Sequence, residues 1–233
     1  MVNILGVKVN KITMKQAVEK AETLFDGKPH MVFTPNPEII LECKKDGELK
    51  SIINSADMVL PDGIGVVIAS KILGNPVPER VPGFDFVCEL LKTEHSFYFF
   101  GGKPGVAEKA MENMKKQGVN VVGCHHGYFD DDTEIVNDII DKKPDVLVVC
   151  LGAPKQEKWI NKNLEKLNVP ISIGAGGSLD VLAGEVERAP EIYQKLCIEW
   201  LYRTLKEPKK RLPRIMKLPV FVVDVIFNGK KHK

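Results

Sequence analysis

Short β-branched runs alternate with helical patterns along nearly the whole chain, and this alternation restricts the fold more than any other feature. Strands separated by helices form parallel sheets, because a parallel neighbour needs a long crossover connection. Local signals mark the helices, such as the capping box of Thr13 and Gln16 and the first-turn position of Pro154. The sequence therefore predicts a Rossmann-like α/β fold, with a mostly parallel sheet and helices on both faces. The predicted strands are His30 to Phe33, Met58 to Leu60, Ser96 to Phe100, Val119 to Gly123, Asp145 to Cys150 and Ile171 to Ile173.

The C-terminal segment differs in charge and composition from the rest of the chain. Residues 203–233 hold ten of the 33 Lys and Arg residues and only two of the 31 acids, so they carry +8 while residues 1–202 carry −6. Bulky apolar side chains are interleaved with the basic ones, a composition typical of segments that lie on an anionic bilayer. Three prolines interrupt any long helix. We predict a globular domain over residues 1–195 and a basic, amphipathic appendage of short helices over residues 196–233.

The apolar residues of the appendage must be covered by the bilayer, by the globular domain or by another subunit of a homo-oligomer. Their longest run, Leu218 to Phe227, contains Asp224 and is far shorter than the ~20 residues of a spanning helix. No nucleic-acid partner is expected, because these residues are mainly aliphatic and the two phenylalanines lie away from most of the charge. At the N-terminus, alternating apolar and polar residues predict no secretory signal but a small antiparallel hairpin around Gly6.

Neither the cysteines nor the potential metal ligands follow the pattern of a disulfide or metal site. The five cysteines are odd in number, lack CxxC spacing and are predicted to be buried thiols in a reducing compartment. Asp130 and Asp132 have DxD spacing, but they precede a helix whose positive dipole end favours acids. His125 and His126 have no partner at ligand spacing. We therefore predict no metal site.

Candidate functional residues follow the predicted strands, because ligands of an open parallel sheet bind at the carboxyl ends of its strands. Thr34 and Asn36 offer a hydroxyl and an amide to a polyol, although Asn36 is also a good helix cap. Asp62 precedes an apolar helix that must be buried, so desolvation would raise its pKa and suit it to general-base catalysis, with helix capping as the alternative. Arg80 is suited to bidentate phosphate binding or, alternatively, to a surface salt bridge.

Three further loops add polar and glycine residues at the same edge. Gly101 and Gly102 lie between a strand and a helix, a layout in which backbone N–H groups cradle a phosphate. Gln156 with Glu157 falls on the first turn after the most apolar strand, close enough to hydrogen-bond a sugar or base. The Gly176–Gly177 pair permits close approach of a ligand or of another backbone segment.

Together these loops closely resemble those of the WecG/TagA/CpsF family of glycosyltransferases, over essentially the whole chain. The motifs that carry the resemblance are TPNPE at Thr34, LPDGIGVV at Leu60, RVPGFD at Arg80, FFGGKPG at Phe99, LGAPKQEKW at Leu151 and GAGGSLDVLAGEVERAP at Gly174. The resemblance implies transfer of a sugar, with inversion, from a UDP-sugar donor to a polyprenyl-diphosphate-linked sugar acceptor. It places the protein peripherally on the cytoplasmic face of the cell membrane. The TagA-like branch, which the loops resemble most, uses UDP-N-acetylmannosamine and undecaprenyl-diphosphate N-acetylglucosamine at the start of wall teichoic acid linkage synthesis.

The resemblance also implies roles for individual residues. Asp62 is the candidate general base, and Thr34 and Asn36 contact the donor or acceptor sugar. Arg80 and Gln156 contact the donor. Family members are regarded as metal-independent, so no cofactor is expected, and arginines with helix N-termini would supply the positive charge on the departing diphosphate.

In the family, arginines of the C-terminal appendage complete the active site, and they map to Arg203, Arg211 and Arg214. The resemblance leaves the donor open between UDP-N-acetylmannosamine, UDP-glucose and the uronic acid form of the mannosamine donor. A non-catalytic alternative is a membrane scaffold that binds a nucleotide sugar.

Overall fold

The computed structural model describes residues 1–190, 192–193, 199–206 and 217–229. Its strands are β1 (Val2–Ile4), β2 (Val7–Val9), β3 (His30–Phe33), β4 (Met58–Val59), β5 (Phe97–Gly101), β6 (Val121–His125), β7 (Val146–Cys150) and β8 (Ile171–Gly174). Six of them form one sheet in the order β4-β3-β8-β7-β5-β6. All its neighbouring strands are parallel. The predicted α/β fold with a parallel sheet is confirmed.

Helices connect the strands and continue into the C-terminal segment. They are α1 (Met14–Glu22), α2 (Pro37–Cys43), α3 (Gly47–Ser55), α4 (Ile64–Ile72), α5 (Gly83–Leu90), α6 (Val106–Lys116), α7 (Thr133–Lys142), α8 (Lys155–Leu167), α9 (Ser178–Leu182), α10 (Glu199–Lys206) and α11 (Lys217–Asn228). The predicted capping box is present at α1, where Thr13 and Gln16 each accept a backbone N–H of the other.

Alternate side chains of the central strands enter two hydrophobic cores, one on each face of the sheet. In β5, Tyr98 and Phe100 belong to one cluster, whereas Phe97 and Phe99 belong to the other. Helices α2, α3, α7 and α8 contribute to the first cluster, and α1, α5, α6 and α9 contribute to the second. Because the side-chain period of a strand is two, a sheet covered on both faces needs apolar residues at every position, as β5 has.

Five of the six predicted strands differ from the observed ones at a boundary, by one or two residues. The strand predicted from Val119 to Gly123 begins two residues later, because the backbone N–H of Val119 is bonded to the last turn of α6. Helix α8 begins after Pro154 rather than with it. The hairpin prediction is correct: β1 and β2 are antiparallel, and Gly6 lies between them with a φ of 92°.

The C-terminal helix α11 docks on the globular domain through one face. Phe221 and Val225 are fully buried against the core on the side of α2 and α4. Asp224 forms an ion pair with Lys44 at the end of α2. The opposite face, called here the outer face of α11, consists of the exposed residues Val220, Val223, Ile226 and Phe227.

The inner face of α11 therefore packs on the domain, as one of the alternatives from the sequence proposed. The outer face of α11 remains an exposed apolar surface. Within the described ranges no helix is both long and apolar enough to cross a membrane.

His30 forms a polar clasp at the amino edge of the sheet, away from the strand ends where ligands are expected. Its Nε2 lies 2.9 Å from Oδ1 of Asp26 and its Nδ1 lies 3.0 Å from Oδ1 of Asp57. Burial lowers the pKa of His30, but the hydrogen bonds and charges of the two aspartates outweigh burial, and the net pKa is raised above 6.5. The imidazolium form is thus stabilised by folding.

We expect this clasp to make stability depend on pH. Because the pKa of His30 is higher in the folded state, its contribution is complete below the unfolded pKa of about 6.5 and is lost as pH rises through the folded pKa. His30→Gln should lower the melting temperature by about 3 °C at pH 6 and by less at pH 9. A control variant, His126→Gln, removes a ring that accepts the backbone N–H of Tyr128. Equal losses for His30→Gln at both pH values would contradict the charge-based account.

Candidate active site

A cleft of about 1410 Å³ opens at the carboxyl ends of the strands. Loops after all six strands of the sheet form its walls, together with residues of α10 and α11. The structure brings most of the predicted site residues together here. Those that line the cleft are Thr34, Asn36, Asp62, Arg80, Gly102, Gln156, Gly176 and Gly177.

Asp62 follows β4 in a loop that backbone hydrogen bonds fix at both ends. Leu60 donates its N–H to the carbonyl of Phe33 at 2.8 Å, and Val81 donates to the carbonyl of Pro61 at 2.9 Å. Helix α4 begins after Gly63, which has a φ of 87° and leaves the helix without a side-chain cap. Asp62 therefore does not cap α4, as the capping alternative required.

The environment of the Asp62 carboxyl shifts its pKa toward neutrality. Burial raises the pKa to about 6, against the lowering effects of the Arg80 charge and the backbone N–H of Gly83. The nearby carboxylates of Asp85 and Glu199 contribute to this rise of the pKa. A carboxyl with this pKa is largely ionised at neutral pH and is still basic enough to accept a proton from a hydroxyl.

Two arginines and two acids form a charged cluster beside Asp62. Nη1 of Arg80 lies 3.5 Å from Oε2 of Glu199, and Nε of Arg188 lies 3.8 Å from Oε1 of Glu199. Arg188 also pairs with Asp85 and covers the ring of Phe84 at 5.0 Å. The salt-bridge alternative for Arg80 is thus observed, with Glu199 of α10 as the partner. The carboxylate of Glu199 lies between the guanidinium groups of Arg80 and Arg188. A diphosphate is also an anion, so the same two groups would stabilise one at this position.

Comparison with known proteins agrees with this geometry. A model of the glycosyl transferase WecG/TagA/CpsF family matches residues 2–233. The chain belongs to this glycosyltransferase family. It is 36% identical over 241 residues to a protein of Staphylococcus aureus strain MW2 named N-acetylglucosaminyldiphosphoundecaprenol N-acetyl-beta-D-mannosaminyltransferase, with 100% of this chain and 94% of the relative covered. The protein of that name in strain NCTC 8325 / PS 47 is similar to the same extent, at 36% identity with 100% and 94% coverage.

Thr34 and Asn36 lie on the cleft wall of the glycosyltransferase, next to Asp62. The side chain of Asn36 accepts the N–H groups of Glu38 and Ile39, so its role as cap of α2 is confirmed, and the residue also lines the cleft. Thr34 lies close to Gly83, where a Cβ atom would come within 2.7 Å of Thr34 Oγ1. A glycine at the start of α5 thus lets the helix approach the threonine.

The glycine loop after β5 does not leave the N–H of Gly102 available to bind a phosphate. Gly102 donates its N–H to the carbonyl of Cys150 at 3.2 Å and accepts the N–H of Gly127 at 2.8 Å. The Gly102 N–H is therefore already used within the protein. Gly101 does not line the cleft: it is buried in β5, where a Cβ atom would collide with the Cys150 backbone.

Gln156 and Glu157 have different surroundings although they are neighbours in sequence. The Gln156 side chain lines the cleft, and its Oε1 accepts the N–H of Gly176 at 3.1 Å. Glu157 does not line the cleft but lies behind Gln156, whose Nε2 donates to Glu157 Oε1 at 2.9 Å. The predicted contact of Glu157 with a substrate is therefore not supported by its position.

The predicted arginines of the appendage are only partly covered by the structure. Arg203 lies on α10, the helix that carries Glu199 into the cleft, but the position of its side chain is not described. Arg211 and Arg214 lie outside the described residues.

Sequence reasoning passed over Arg188 and Glu199 as site residues. Arg188 stands in the motif Arg188-Ala189-Pro190 after the last glycine loop, which was the available signal. Among the residues that the structure describes, no group of three or more His, Cys, Asp or Glu side chains is placed to hold a metal ion. Asp132 instead accepts hydrogen bonds from Trp159, Lys162 and Asn163 of α8.

Proposed function

We propose that the protein is an inverting hexosyltransferase that moves N-acetylmannosamine from UDP-N-acetylmannosamine to undecaprenyl-diphosphate N-acetylglucosamine, a step in wall teichoic acid linkage synthesis. The family membership supports a glycosyltransferase, and the names of the similar Staphylococcus aureus proteins support this sugar and this acceptor. The single observation that carries the proposal is the Asp62 carboxyl in the cleft, with a pKa raised to about 6 by burial.

Asp62 is proposed as the general base. Its carboxylate accepts the proton of the acceptor hydroxyl as the hydroxyl oxygen bonds to the anomeric carbon of the donor. The bond from that carbon to the β-phosphate oxygen breaks on the opposite face, and UDP leaves with the bonding electron pair. Attack opposite to the leaving group inverts the anomeric configuration.

Positive charge on the departing UDP is proposed to come from arginines. Arg80 and Arg188 lie beside Asp62 and now share the carboxylate of Glu199. A diphosphate that replaces this carboxylate would be stabilised most as negative charge develops on the leaving oxygen. Arg203, Arg211 and Arg214 are proposed to add to this charge. Thr34, Asn36 and Gln156 offer hydroxyl and amide groups to the sugars.

The membrane is proposed as the working surface because the acceptor carries a polyprenyl chain. The outer face of α11 offers exposed apolar side chains, and the basic residues of the C-terminal segment favour an anionic bilayer. Helix α11 also lies beside the cleft, because its residues Lys217 and Leu218 form part of the cleft wall. This position supports delivery of a lipid-linked acceptor to Asp62.

A transfer assay tests the donor, the membrane and the metal requirement together. Full-length protein on anionic vesicles that contain the N-acetylglucosamine lipid diphosphate is given each UDP-sugar in turn, with and without EDTA. We expect UDP release and product only with UDP-N-acetylmannosamine, unchanged by EDTA. Product from UDP-glucose or the mannosamine uronate donor would replace the proposed donor, whereas binding of UDP-sugars without any product would favour the scaffold.

A further inference from the structure

Glu157 is a buried acid for which the proposed reaction has no direct use. Its side chain is 2% exposed, and its Oε2 has no hydrogen-bond partner among the residues that the structure describes. It lies near the buried thiol of Cys43, whose pKa its charge helps to raise. Burial of a carboxyl with incomplete hydrogen bonding costs free energy, and an apolar side chain of similar size would avoid that cost. Its presence therefore calls for a role beyond packing.

Within the described residues, the Glu157 carboxyl accepts a side-chain hydrogen bond from the amide of Gln156. A backbone N–H can only donate, so the N–H of Gly176 requires the oxygen of the Gln156 amide on its side. The amide nitrogen then faces Glu157, whose oxygen accepts one of its two hydrogens at 2.9 Å. Both ends of the amide are thus assigned. Among the residues that the structure describes, no acceptor is found for the second N–H of Gln156, a residue that lines the cleft.

Steric packing restricts the same amide group. A Cβ atom at Gly174 would lie 3.0 Å from Nε2 of Gln156, so the glycine at the end of β8 leaves room for the amide. An amide without an acceptor at position 157 could still turn about its last torsion angle, because such torsions are broad and nearly two-fold. The N–H of Gly176 opposes a turned amide at one end, and Glu157 opposes it at the other, so that the nitrogen rather than the oxygen is presented to the cleft.

We propose that Glu157 is a positioning residue that holds the Gln156 amide with its free N–H toward the cleft, where it donates to an oxygen of the nucleotide-sugar donor. The proposal rests on the function proposed above. Burial raises the pKa of Glu157, while the bond from Gln156 lowers it. An acceptor oxygen exists in both the neutral and the ionised carboxyl, so the positioning does not need the charge.

Three variants on the same helix separate orientation from packing. Glu157→Gln keeps an acceptor oxygen, and Glu157→Met keeps the volume without one. Asn163→Met is the matched control, because Asn163 is a buried polar residue of α8 that bonds to Trp159 and Asp132. In the vesicle assay we expect Glu157→Met to lose about tenfold in kcat/KM for the donor, the effect of about one hydrogen bond. Glu157→Gln should stay within about threefold of the wild type, and Asn163→Met should keep its activity per folded molecule.

A second measurement needs no catalysis. The side-chain NH₂ resonances of Gln156, identified by their loss in Gln156→Met, should show restricted motion in the wild type and in Glu157→Gln, and averaging in Glu157→Met. A rigid amide in Glu157→Met, or equal impairment of the Gln and Met variants in transfer, would overturn the proposal. If the wild type transfers no sugar but the resonances behave as expected, the proposed function fails while the positioning of Gln156 by Glu157 stands.

Discussion

Asp62→Asn is expected to reduce kcat by about 10²- to 10⁴-fold while the protein still binds UDP-sugar. The substitution keeps the size and hydrogen-bonding shape of the side chain but removes the site that accepts the proton of the acceptor hydroxyl. For the wild type, kcat should rise with pH through about 6, the pKa of Asp62, and then level off. Steady-state transfer kinetics across pH 5 to 9, with donor binding measured by calorimetry, check both expectations.

The same substitution should stabilise the protein, which distinguishes a lost base from a damaged fold. Because the pKa of Asp62 is raised from 3.8 to about 6 by folding, the folded state loses stability as pH rises through this interval. Above pH 7 the asparagine variant should gain about 2 kcal/mol in the free energy of unfolding, with allowance for water in the cleft. A control variant, Asp141→Asn, changes an exposed acid on α7. Full kcat in Asp62→Asn, or a fall in its stability together with its activity, would reject Asp62 as the base.

The parallel sheet could be predicted from the sequence because its signals are local. Each central strand is a short apolar run, and helices α1 and α2 begin with side-chain caps that Thr13 and Asn36 provide. The role of Asp62 could not be predicted from local signals. Its position before a buried helix is compatible with a helix cap and with a general base. The choice depends on the backbone of Gly63, whose φ of 87° leaves α4 without a side-chain cap.

The charged cluster and the role of Glu157 could not be predicted, for two physical reasons. Helix α10 packs at the cleft and brings Glu199 into contact with Arg80 and Arg188. No sequence pattern indicates where such a C-terminal helix packs. Gln156 and Glu157 lie on one helical turn, but neighbouring residues of a helix point about 100° apart. Only one of the two can face the cleft, and the sequence does not indicate which.

The second large effect concerns the outer face of α11. Val223→Ser with Phe227→Ser should weaken binding to anionic vesicles by about 100-fold, since insertion of each apolar side chain contributes on the order of 1–2 kcal/mol. Both residues are exposed, Phe227 by 73%, so the fold should keep its melting temperature. Vesicle sedimentation at several salt concentrations measures the binding. Transfer to the long-chain lipid acceptor should fall in parallel, and transfer to a short-chain, water-soluble acceptor should change less than about twofold.

A variant of the inner face provides the contrast. Phe221 is fully buried, and Phe221→Ala should cost about 3–5 kcal/mol of stability by leaving a cavity between α11 and the domain. The fraction that remains folded should bind vesicles as the wild type does, because its outer face is unchanged. If instead the outer-face variant binds vesicles normally and Phe221→Ala does not, α11 must leave the domain to reach the bilayer through its inner face. The docked arrangement would then be the state away from the membrane, and activity on the lipid-linked acceptor would depend on release of the helix.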